Sequence, residues 1–177
     1  MRLFIAVFPD AEAKTELQRL QEQIRAQADK GSFTRPENLH LTLIFLGEIP
    51  MEKLKLLYPI IKGIKASAFE ITFNRTGYFT HGRNELWWAG ADPNDPTLPL
   101  LNQIHGQLKN ELTKEGFRID KKPFNAHITL GREIRPSRPI VPDCRLIKIK
   151  VDRLSLVKSE HIHGVLTYTE IFSQKLT

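Results

Sequence analysis

The sequence predicts an α+β protein with antiparallel strands, and three observations indicate this class. Segments with strand and helix periodicity follow one another without the strict βαβ alternation of a parallel sheet. Two predicted strands are joined by the turn-rich link THGRN at 80–84, which indicates a hairpin. The segment NLHLTL at 38–43 is echoed by NAHITL at 125–130, nearly half the chain later. This echo predicts two duplicated lobes, each with one histidine-bearing strand.

The first half of the chain contains two predicted strands and two predicted helices. In chain order they are a strand at 2–8, a helix from Asp10 to about Lys30, a strand at 39–46 and a helix from near Pro50 toward Lys65. Asp10 is a favourable N-cap, and Gly31 is expected to end the first helix. Pro59 is expected to kink or divide the second helix because proline lacks an amide hydrogen.

The second half is richer in strands. Its predicted elements are strands at 69–79 and 85–91, a helix from about 100 to 115, a strand at 126–131, a strand at 146–157 with a break near Asp152, a turn at 159–164 and a strand at 165–174. Four apolar residues at helical spacing form the inner face of the helix: Leu101, Ile104, Leu108 and Leu112. Gly116 is expected to end it.

Composition restricts the classes of protein to consider. The 177 residues suffice for one domain or two small lobes, and a single cysteine, Cys144, allows neither an internal disulfide nor a cysteine-based zinc site. The N-terminal segment predicts a strand and not a signal peptide, and no apolar run is long enough for a membrane span, so we expect a cytoplasmic protein. The excess of 26 Lys+Arg over 20 Asp+Glu suits a polyanionic partner such as nucleic acid, although solubility alone explains it equally well.

The two echoed segments carry the candidate site. Alternate residues of a strand share a face, so His40 and Thr42 project together, as do His127 and Thr129. A single histidine on a strand is usually structural, but a matched pair with matched threonines favours a functional site. Pseudo-twofold symmetry would bring these faces together and line one cleft with two imidazoles and two hydroxyls.

This set of side chains suits cleavage of a phosphodiester. In-line displacement at phosphorus needs a base on one side and an acid on the other. Imidazole, with a pKa of roughly 6.5, serves as either near neutral pH. Threonine hydroxyls can donate hydrogen bonds to the non-bridging oxygens, whose charge must be stabilised in the transition state. The chemistry requires no metal, and no cofactor is expected.

The motifs resemble those of a known superfamily. HLTLIFLG at 40–47 and HITLGR at 127–132 resemble the twin H-x-T motifs of the 2H phosphoesterases, and FTRPENLHLTLIFLGE at 33–48 resembles their bacterial and archaeal RNA 2′,3′-cyclic phosphodiesterase branch, also named 2′-5′ RNA ligases. The resemblance covers nearly the whole chain. It implies a single domain, 1–177, of two pseudo-symmetric lobes that each supply one motif. Antiparallel sheets would line a central cleft, with the helices outside.

The resemblance also implies an activity. It is the hydrolysis of a terminal 2′,3′-cyclic phosphate on RNA to a 2′-phosphate, with reverse joining to a 5′-hydroxyl in some members. Carried to this chain, the family roles make His40 the proton donor to the leaving 3′-oxygen and His127 the acceptor from the attacking water. Thr42 and Thr129 correspond to the motif threonines. Because the two halves are nearly symmetric, the sequence alone leaves the order of acid and base open.

Two arginines are candidates for binding the substrate. Arg132 directly follows the second motif, where its guanidinium would contact the phosphate or the RNA backbone. Arg35 precedes the first motif and either contacts the substrate or anchors its loop to Glu37. The predicted hairpin carries four aromatic residues, Trp87, Trp88, Tyr78 and Phe79. The sequence does not show which of them pack in the core and which stack on a base.

The remaining histidines are expected to have other roles. The pair His161 and His163 has a spacing that suits a metal but lacks an evident third ligand, so no metal site is predicted. His81 and His105 are expected at the surface. Two alternatives to RNA-end hydrolysis stay open: the same chemistry on a small nucleotide cyclic phosphate or 2′-5′ oligoadenylate, and a non-catalytic module that binds RNA ends. A monomer without membrane association is expected.

Overall fold

The computed structural model describes residues 1–177 and contains nine strands in one sheet, with three α-helices. In chain order the elements are β1 (Arg2–Val7), α1 (Ala11–Arg25), β2 (Ala28–Phe33), β3 (Leu41–Glu48), α2 (Leu54–Lys62), β4 (Phe69–His81), β5 (Asn84–Ala91), α3 (Leu98–Lys114), β6 (His127–Pro136), β7 (Ile147–Val151), β8 (Arg153–Ile162) and β9 (Val165–Lys175). All strand pairs are antiparallel, so the predicted α+β class with antiparallel sheet is confirmed.

The two motif strands lie at the centre of the sheet. The strand order is β7-β4-β5-β6-β3-β1-β8-β9, and β2 pairs with the other part of β6. Strands β3 and β6 are joined by a single pair of residues, Leu41 and Ile128. The sheet therefore consists of two groups of strands that curl away from this narrow junction, one continuing from β3 and the other from β6.

The helices cover one face of the sheet. The apolar stripe predicted for α3 is buried there, and α1 packs against β2, β6 and β7. Strand β1 shows how the two faces divide: Leu3 and Ile5 point into the main core, whereas Phe4 and Ala6 belong to a small cluster on the other face. The cleft lies on that second face. The helices therefore lie on the side of the sheet away from the cleft, as predicted. None of the helices is both long and apolar enough to span a lipid bilayer.

The first helix is shorter than predicted. It begins after the N-cap Asp10, whose carboxylate accepts a hydrogen bond from the Ala13 amide, but it ends at Arg25 and not near Lys30. Residues 28–33 instead form β2, which pairs with β6. Gly31 does not end the helix: a Cβ atom there would lie 2.8 Å from Ile134 Cγ1, so glycine permits close packing of β2 on β6. Pairing with a distant strand has overridden the local helical propensity.

Three further predictions about element boundaries involve Pro59, Asp152 and the turn at 159–164. Pro59 neither divides nor ends α2, because it lies on the exposed side, where water can bind the carbonyl that loses its partner. The break predicted near Asp152 is confirmed, and it carries the chain from β7 in one group of strands to β8 in the other. The turn predicted at 159–164 is shorter: β8 continues through Ile162, and His163 and Gly164 form the turn with φ of 50° and 78°.

A buried carboxylate holds the start of α3 against β4. Asp95 accepts hydrogen bonds from the backbone amides of Thr72 and Thr97, each at 2.7 Å, and from the Thr97 hydroxyl at 2.6 Å. Burial raises the pKa of Asp95, but the hydrogen bonds from Thr97 and Thr72 outweigh it and lower the pKa from 3.8 to about 2. The charged carboxylate is therefore the form that stabilises this connection.

We expect Asp95 to make folding stability depend on pH in the acidic range. Because its pKa is lower in the folded chain, its contribution is complete above the unfolded value of 3.8 and is lost as the pH falls through about 2. Asp95→Asn should lower the free energy of unfolding by about 1–3 kcal/mol near neutral pH. Urea unfolding should show this difference shrinking as the pH falls, with Asp29→Asn, an exposed residue of β2, as control. A difference that is constant with pH would contradict the assignment.

Candidate active site

The two motif histidines are held in the same way. His40 precedes β3 and His127 begins β6, and in each the Nδ1 atom lies 2.7 Å from the backbone carbonyl oxygen of the residue two positions earlier, Asn38 or Asn125. A carbonyl oxygen only accepts, so Nδ1 carries the hydrogen and donates it. In the neutral form of each ring, Nε2 is therefore the unprotonated nitrogen and is left free for other chemistry.

Antiparallel pairing brings each histidine close to the threonine of the other motif. Because Leu41 is paired with Ile128, the neighbouring positions place His40 opposite Thr129 and His127 opposite Thr42. The cavities agree with this register: one neighbouring cavity is lined by His40 and Thr129, and another by His127 and Thr42. Each imidazole is therefore accompanied by a hydroxyl from the opposite half of the molecule.

The cleft between the motif strands consists of three adjoining cavities. The central cavity, of about 220 Å³, is lined by both motifs and by residues from β1, β8 and β9; its members are Arg2, Phe4, His40, Thr42, Phe45, His127, Thr129, Arg132, Ser159 and Tyr168. A cavity of about 260 Å³ adjoins it next to β2 and shares His40 and Thr129. A third, of about 590 Å³, lies beyond His127 and shares Thr42 and His127; we call it the aromatic basin.

A bulge in β3 changes which residues face the cleft. Along β1, Ala6 is paired with Thr42 but Ile5 is paired with Ile44, so Leu43 is an extra residue without a partner. Beyond this bulge the alternation is shifted by one position. Thr42 and Phe45, three residues apart, therefore both line the central cavity.

The second motif strand has a bulge at the corresponding position. Along β5, Trp88 is paired with Thr129 but Trp87 is paired with Gly131, so Leu130 is the extra residue. Simple alternation from Thr129 would point Arg132 away from the site. The bulge places it on the cleft face, where it lines the central cavity.

The surroundings of His40 are aromatic. The Phe4 ring lies 4.8 Å from the His40 ring, and Tyr168 packs edge-on at 5.2 Å. Burial lowers the pKa of His40 below 6.5, although the hydrogen bond to the Asn38 carbonyl opposes this shift. The positive charge of Arg132 contributes further to the lower pKa. The neutral imidazole is therefore favoured in the free protein.

His127 occupies a different environment despite its matching motif. It is only partly buried, and its closest aromatic neighbour is Trp88, whose ring lies 6.3 Å away. The two histidines thus share a hydrogen-bond pattern and a cleft but differ in their aromatic neighbours.

The structure places the two candidate arginines in different parts of the cleft. Arg132 is exposed and lines the central cavity together with all four motif residues. Arg35 lines only the cavity next to β2, and its guanidinium forms an ion pair with Glu37. Arg35 thus anchors its loop, as one of the two alternatives predicted, and also borders the cleft.

The hairpin aromatics separate into two faces. Trp87 is buried in the main core, and Tyr78 packs against it with ring centroids 4.9 Å apart. Trp88 and Phe79 lie on the opposite face, where Trp88 is beside His127 and Phe79 lines the aromatic basin. The question that the sequence left open is therefore answered by strand register.

The other histidines differ in part from expectation. His161 and His163 are not accompanied by a third ligand, since no group of three or more metal-binding side chains occurs in the structure. His81 is exposed, as predicted. His105 is not a simple surface residue: it is partly buried and stacks on Phe124 with ring centroids 4.4 Å apart. Its position beside the α3 stripe turns it toward the chain segment that precedes β6.

Sequence reasoning did not identify the residues that β1, β8 and β9 contribute to the central cavity. They are Arg2, Phe4, Ser159 and Tyr168. None belongs to a local motif. Arg2 and Phe4 reach the site because β1 pairs with β3, and Ser159 and Tyr168 reach it because β8 and β9 follow β1 in the sheet. The one sequence signal was a polar or aromatic residue interrupting apolar alternation, which is too common to single them out.

Comparison with known proteins agrees with the fold and the motifs. An antiparallel α+β fold with two H-x-T motifs across one cleft defines a 2H phosphoesterase. The profile of the family described as LigT-like phosphoesterase matches residues 7–88 and 92–167. The chain therefore belongs to the LigT-like phosphoesterase family, and the predicted enzyme class, a phosphodiesterase, is confirmed.

Relatives of known name or structure cover most of the chain. It is 34% identical over 167 residues to the RNA 2′,3′-cyclic phosphodiesterase of Thermus thermophilus, which covers 90% of this chain and 82% of that protein. It is 33% identical over 144 residues to the protein of that name from Archaeoglobus fulgidus, covering 81% and 78%. The crystal structure of Escherichia coli LigT complexed with 3′-AMP has a TM-score of 0.84 at 28% identity, covering 99% of this chain and 98% of that one.

We expect His40 to titrate below the ordinary histidine range. Its ring signals in an NMR pH titration should show a midpoint below 6.5, because burial disfavours the charged form. Tyr168→Ala removes the ring packed edge-on against it, admits water and should move the midpoint upward. Tyr78→Ala, on the opposite face of the hairpin, is the control and should leave the midpoint unchanged. A wild-type midpoint at or above 6.5 would contradict the burial argument.

A second expectation concerns Gly77, which lies beneath Trp88. A Cβ atom at Gly77 would lie 2.2 Å from Trp88 Cζ2, so Gly77→Ala must displace the indole that borders His127. We expect a loss of about 1–3 kcal/mol in the free energy of unfolding, as for other overpacked sites. Gly106→Ala is the control, since nothing lies within 4 Å of its added Cβ atom and alanine favours a helix. Chemical denaturation of both variants tests the contrast, and equal stability would rule out the clash.

Proposed function

We propose that this protein hydrolyses a 2′,3′-cyclic phosphate at the end of RNA and leaves a 2′-phosphate. The observation that carries the proposal is the matched pair of imidazoles, each bound through Nδ1 to a carbonyl and free at Nε2, on two strands that share one cavity. The names of the Thermus thermophilus and Archaeoglobus fulgidus relatives support the choice of substrate.

The proposed reaction is one in-line displacement at phosphorus. Neutral His127 accepts a proton from water through Nε2 as the water oxygen bonds to phosphorus. Protonated His40 donates its Nε2 proton to the 3′-oxygen as the bond between phosphorus and that oxygen breaks. The hydroxyls of Thr42 and Thr129 donate to the non-bridging oxygens, each beside the histidine of the other motif.

The low pKa of His40 bears on its role as the acid. In the free protein, burial and the neighbouring charge of Arg132 favour the neutral ring. An anionic phosphate in the central cavity supplies a nearby negative charge, which favours the protonated ring. We therefore propose that His40 takes up its proton together with the substrate, and that binding prepares the acid.

In this proposal, positively charged side chains of the protein balance the negative charge of the transition state. Arg132 and Arg2 both line the central cavity, and guanidinium groups suit the geometry of a phosphate. We therefore propose that the reaction needs no metal ion. By microscopic reversibility, a 5′-hydroxyl in the position of the water would give the reverse joining reaction. We further propose a cytoplasmic enzyme that acts as a monomer.

We also propose that residues 1–177 form a single domain of two pseudo-symmetric lobes, one for each motif. Two observations support this: the paired histidine hydrogen bonds and the bulges at Leu43 and Leu130, which occupy the same position in each motif. A continuous core of 38 buried residues includes members of both groups of strands.

The test is product analysis with a short RNA that ends in a 2′,3′-cyclic phosphate, with a chelator present. Wild type should release a 2′-phosphate, and His40→Ala and His127→Ala should each lower kcat/KM by about a hundredfold to ten-thousandfold, since each removes one proton-transfer group. His81→Ala, an exposed histidine outside the cleft, is the matched control and should retain full activity.

Several outcomes would count against the proposal. Loss of activity in the chelator that an added divalent ion restores would overturn the metal-free mechanism. Activity retained by either variant would remove that histidine from the mechanism. Turnover of a nucleoside 2′,3′-cyclic phosphate but not of the RNA would keep the chemistry and change the substrate, whereas tight binding of the RNA without product would indicate a binding module.

A further inference from the structure

We propose that Asn38 is a positioning residue for His40. The backbone carbonyl of Asn38 binds the imidazole, and its side-chain amide binds the edge of β9, so that the acid and the wall beside it are held together. His40 is taken here as a catalytic residue, so this assignment rests on the proposed function.

The first support is that one buried residue makes both hydrogen bonds. Nδ1 of His40 donates to the Asn38 carbonyl oxygen at 2.7 Å, and Nδ2 of Asn38 donates to the Leu166 carbonyl oxygen at 3.0 Å. Asn38 is only 5% exposed, and a buried amide is stable when it has such a partner. The His40 ring and the edge of β9 are therefore fixed to each other through a single side chain.

The second support is the kind of carbonyl that the Asn38 amide binds. Strand β9 is the last in the sheet and pairs only with β8. The two-residue turn at 163–164 is flanked by a hydrogen-bonded pair, so the next pair, His161 and Leu166, is a non-hydrogen-bonded one. The Leu166 carbonyl therefore points away from β8, toward the open edge of the sheet, and Asn38 supplies its partner there.

The third support is what β9 carries next to this bond. Tyr168 lies two positions after Leu166 and therefore on the same face of the strand. Both residues line the cavity next to β2, together with Asn38 and His40. Because Tyr168 packs edge-on against the His40 ring at 5.2 Å, a bond that fixes the start of β9 also fixes the ring that covers His40.

The second motif is supported in a different way. His127 donates to the Asn125 carbonyl at the same distance of 2.7 Å, but Asn125 is exposed and its side chain makes no comparable bond. Backbone pairing with β5 holds this segment: His127 is paired with Gly90, and the Ala91 amide donates to the Ala126 carbonyl at 3.0 Å. The carbonyl that binds His127 therefore precedes a residue that the sheet already fixes.

The first motif has no strand neighbour at the equivalent point. Strand β3 begins at Leu41, which is the first of its residues to pair with β1 and the one that pairs with β6. Asn38 and His40 lie before that position, and Asn38 ends a single turn of 3₁₀-helix at 36–38. The hydrogen bond to Leu166 thus gives this turn the connection to the sheet that backbone pairing gives the second motif.

The experiment compares RNA hydrolysis by wild type, Asn38→Ala and Asn38→Leu. Both variants keep the backbone carbonyl but lack the donor to Leu166, and leucine also keeps most of the side-chain volume. We expect kcat to fall by about tenfold to a hundredfold in both, since misplacing a reacting group by about 1 Å costs up to that much. KM should stay close to the wild-type value, because the side chains assigned to phosphate binding are unchanged.

A second measurement reports on His40 directly and requires no substrate. Nitrogen-15 chemical shifts should place the hydrogen of neutral His40 on Nδ1 in wild type and show a mixture of both tautomers in Asn38→Ala. The titration midpoint should also move upward, because burial is the largest cause of the lowered pKa of His40 and outweighs the opposing hydrogen bond to Asn38. The titratable and charged groups that face His40 are present in every variant: Arg2, His127, Arg132 and Tyr168.

Two control variants separate positioning from stability. Asp95→Asn alters another buried polar residue, 9% exposed, that lines none of the three cavities of the cleft. It should unfold at a lower temperature but keep the wild-type kcat and the wild-type signals of His40. Asn125→Ala, the matching position of the other motif, should also leave the His40 signals unchanged. Thermal unfolding curves identify a temperature at which every variant is folded.

The outcomes distinguish this assignment from the proposed function. If wild type hydrolyses the RNA and both Asn38 variants match it in kcat and in the His40 signals, Asn38 has no positioning role, although the proposed function stands. Wild-type kcat in Asn38→Leu alone would assign the effect to packing and overturn the role of the hydrogen bond, and so would an equal loss in Asp95→Asn. If wild type does not hydrolyse the RNA but the His40 tautomer changes in the Asn38 variants, the positioning role stands and the proposed function fails.

Discussion

The single pair of residues that joins β3 to β6 is the constraint on which the site depends. Leu41 and Ile128 are both fully buried, so the core fixes the two strands at their only point of pairing. His40 comes immediately before Leu41, and His127 immediately before Ile128. Antiparallel register at this one position therefore sets each histidine beside the threonine of the other motif. Because the strands part on either side of the junction, the same geometry leaves room for a cleft.

The two sides of the cleft differ in chemistry because β3 and β6 each depart from regular strand structure at a bulge. Without the bulges at Leu43 and Leu130, Phe45 and Arg132 would point away from the motif faces. With them, one lobe contributes a guanidinium and the other a phenyl ring at equivalent places. A symmetric pair of motifs would not by itself distinguish the two ends of an asymmetric substrate. The equivalence of the bulges preserves the pseudo-symmetry of the backbone, while the side chains at their ends break it.

The environments of the two histidines differ for a related reason. The ring of His40 packs against Phe4 of β1 and Tyr168 of β9, whereas His127 borders the aromatic basin. The same hydrogen bond holds both rings, so the lower pKa of His40 arises from burial and neighbouring charge. Two matching motifs thus present their imidazoles with the same hydrogen bond but in different surroundings. The acid role proposed for His40 depends on the charge that a phosphate would bring.

The sequence by itself determined the α+β class, the α3 stripe, the cap at Asp10 and the two H-x-T motifs, because each depends on periodicity or chemistry within a few neighbouring residues. Its predictions were wrong where a distant strand decided the outcome: residues 28–33 pair with β6 in place of extending α1, and Gly31 permits that approach. The division of Trp87 from Trp88, the entry of Arg132 and the recruitment of Tyr168 were settled only in the tertiary structure. Which face a residue occupies, and how much water reaches it, depends on strand register and on neighbours far away in the chain, and local sequence does not encode either of these.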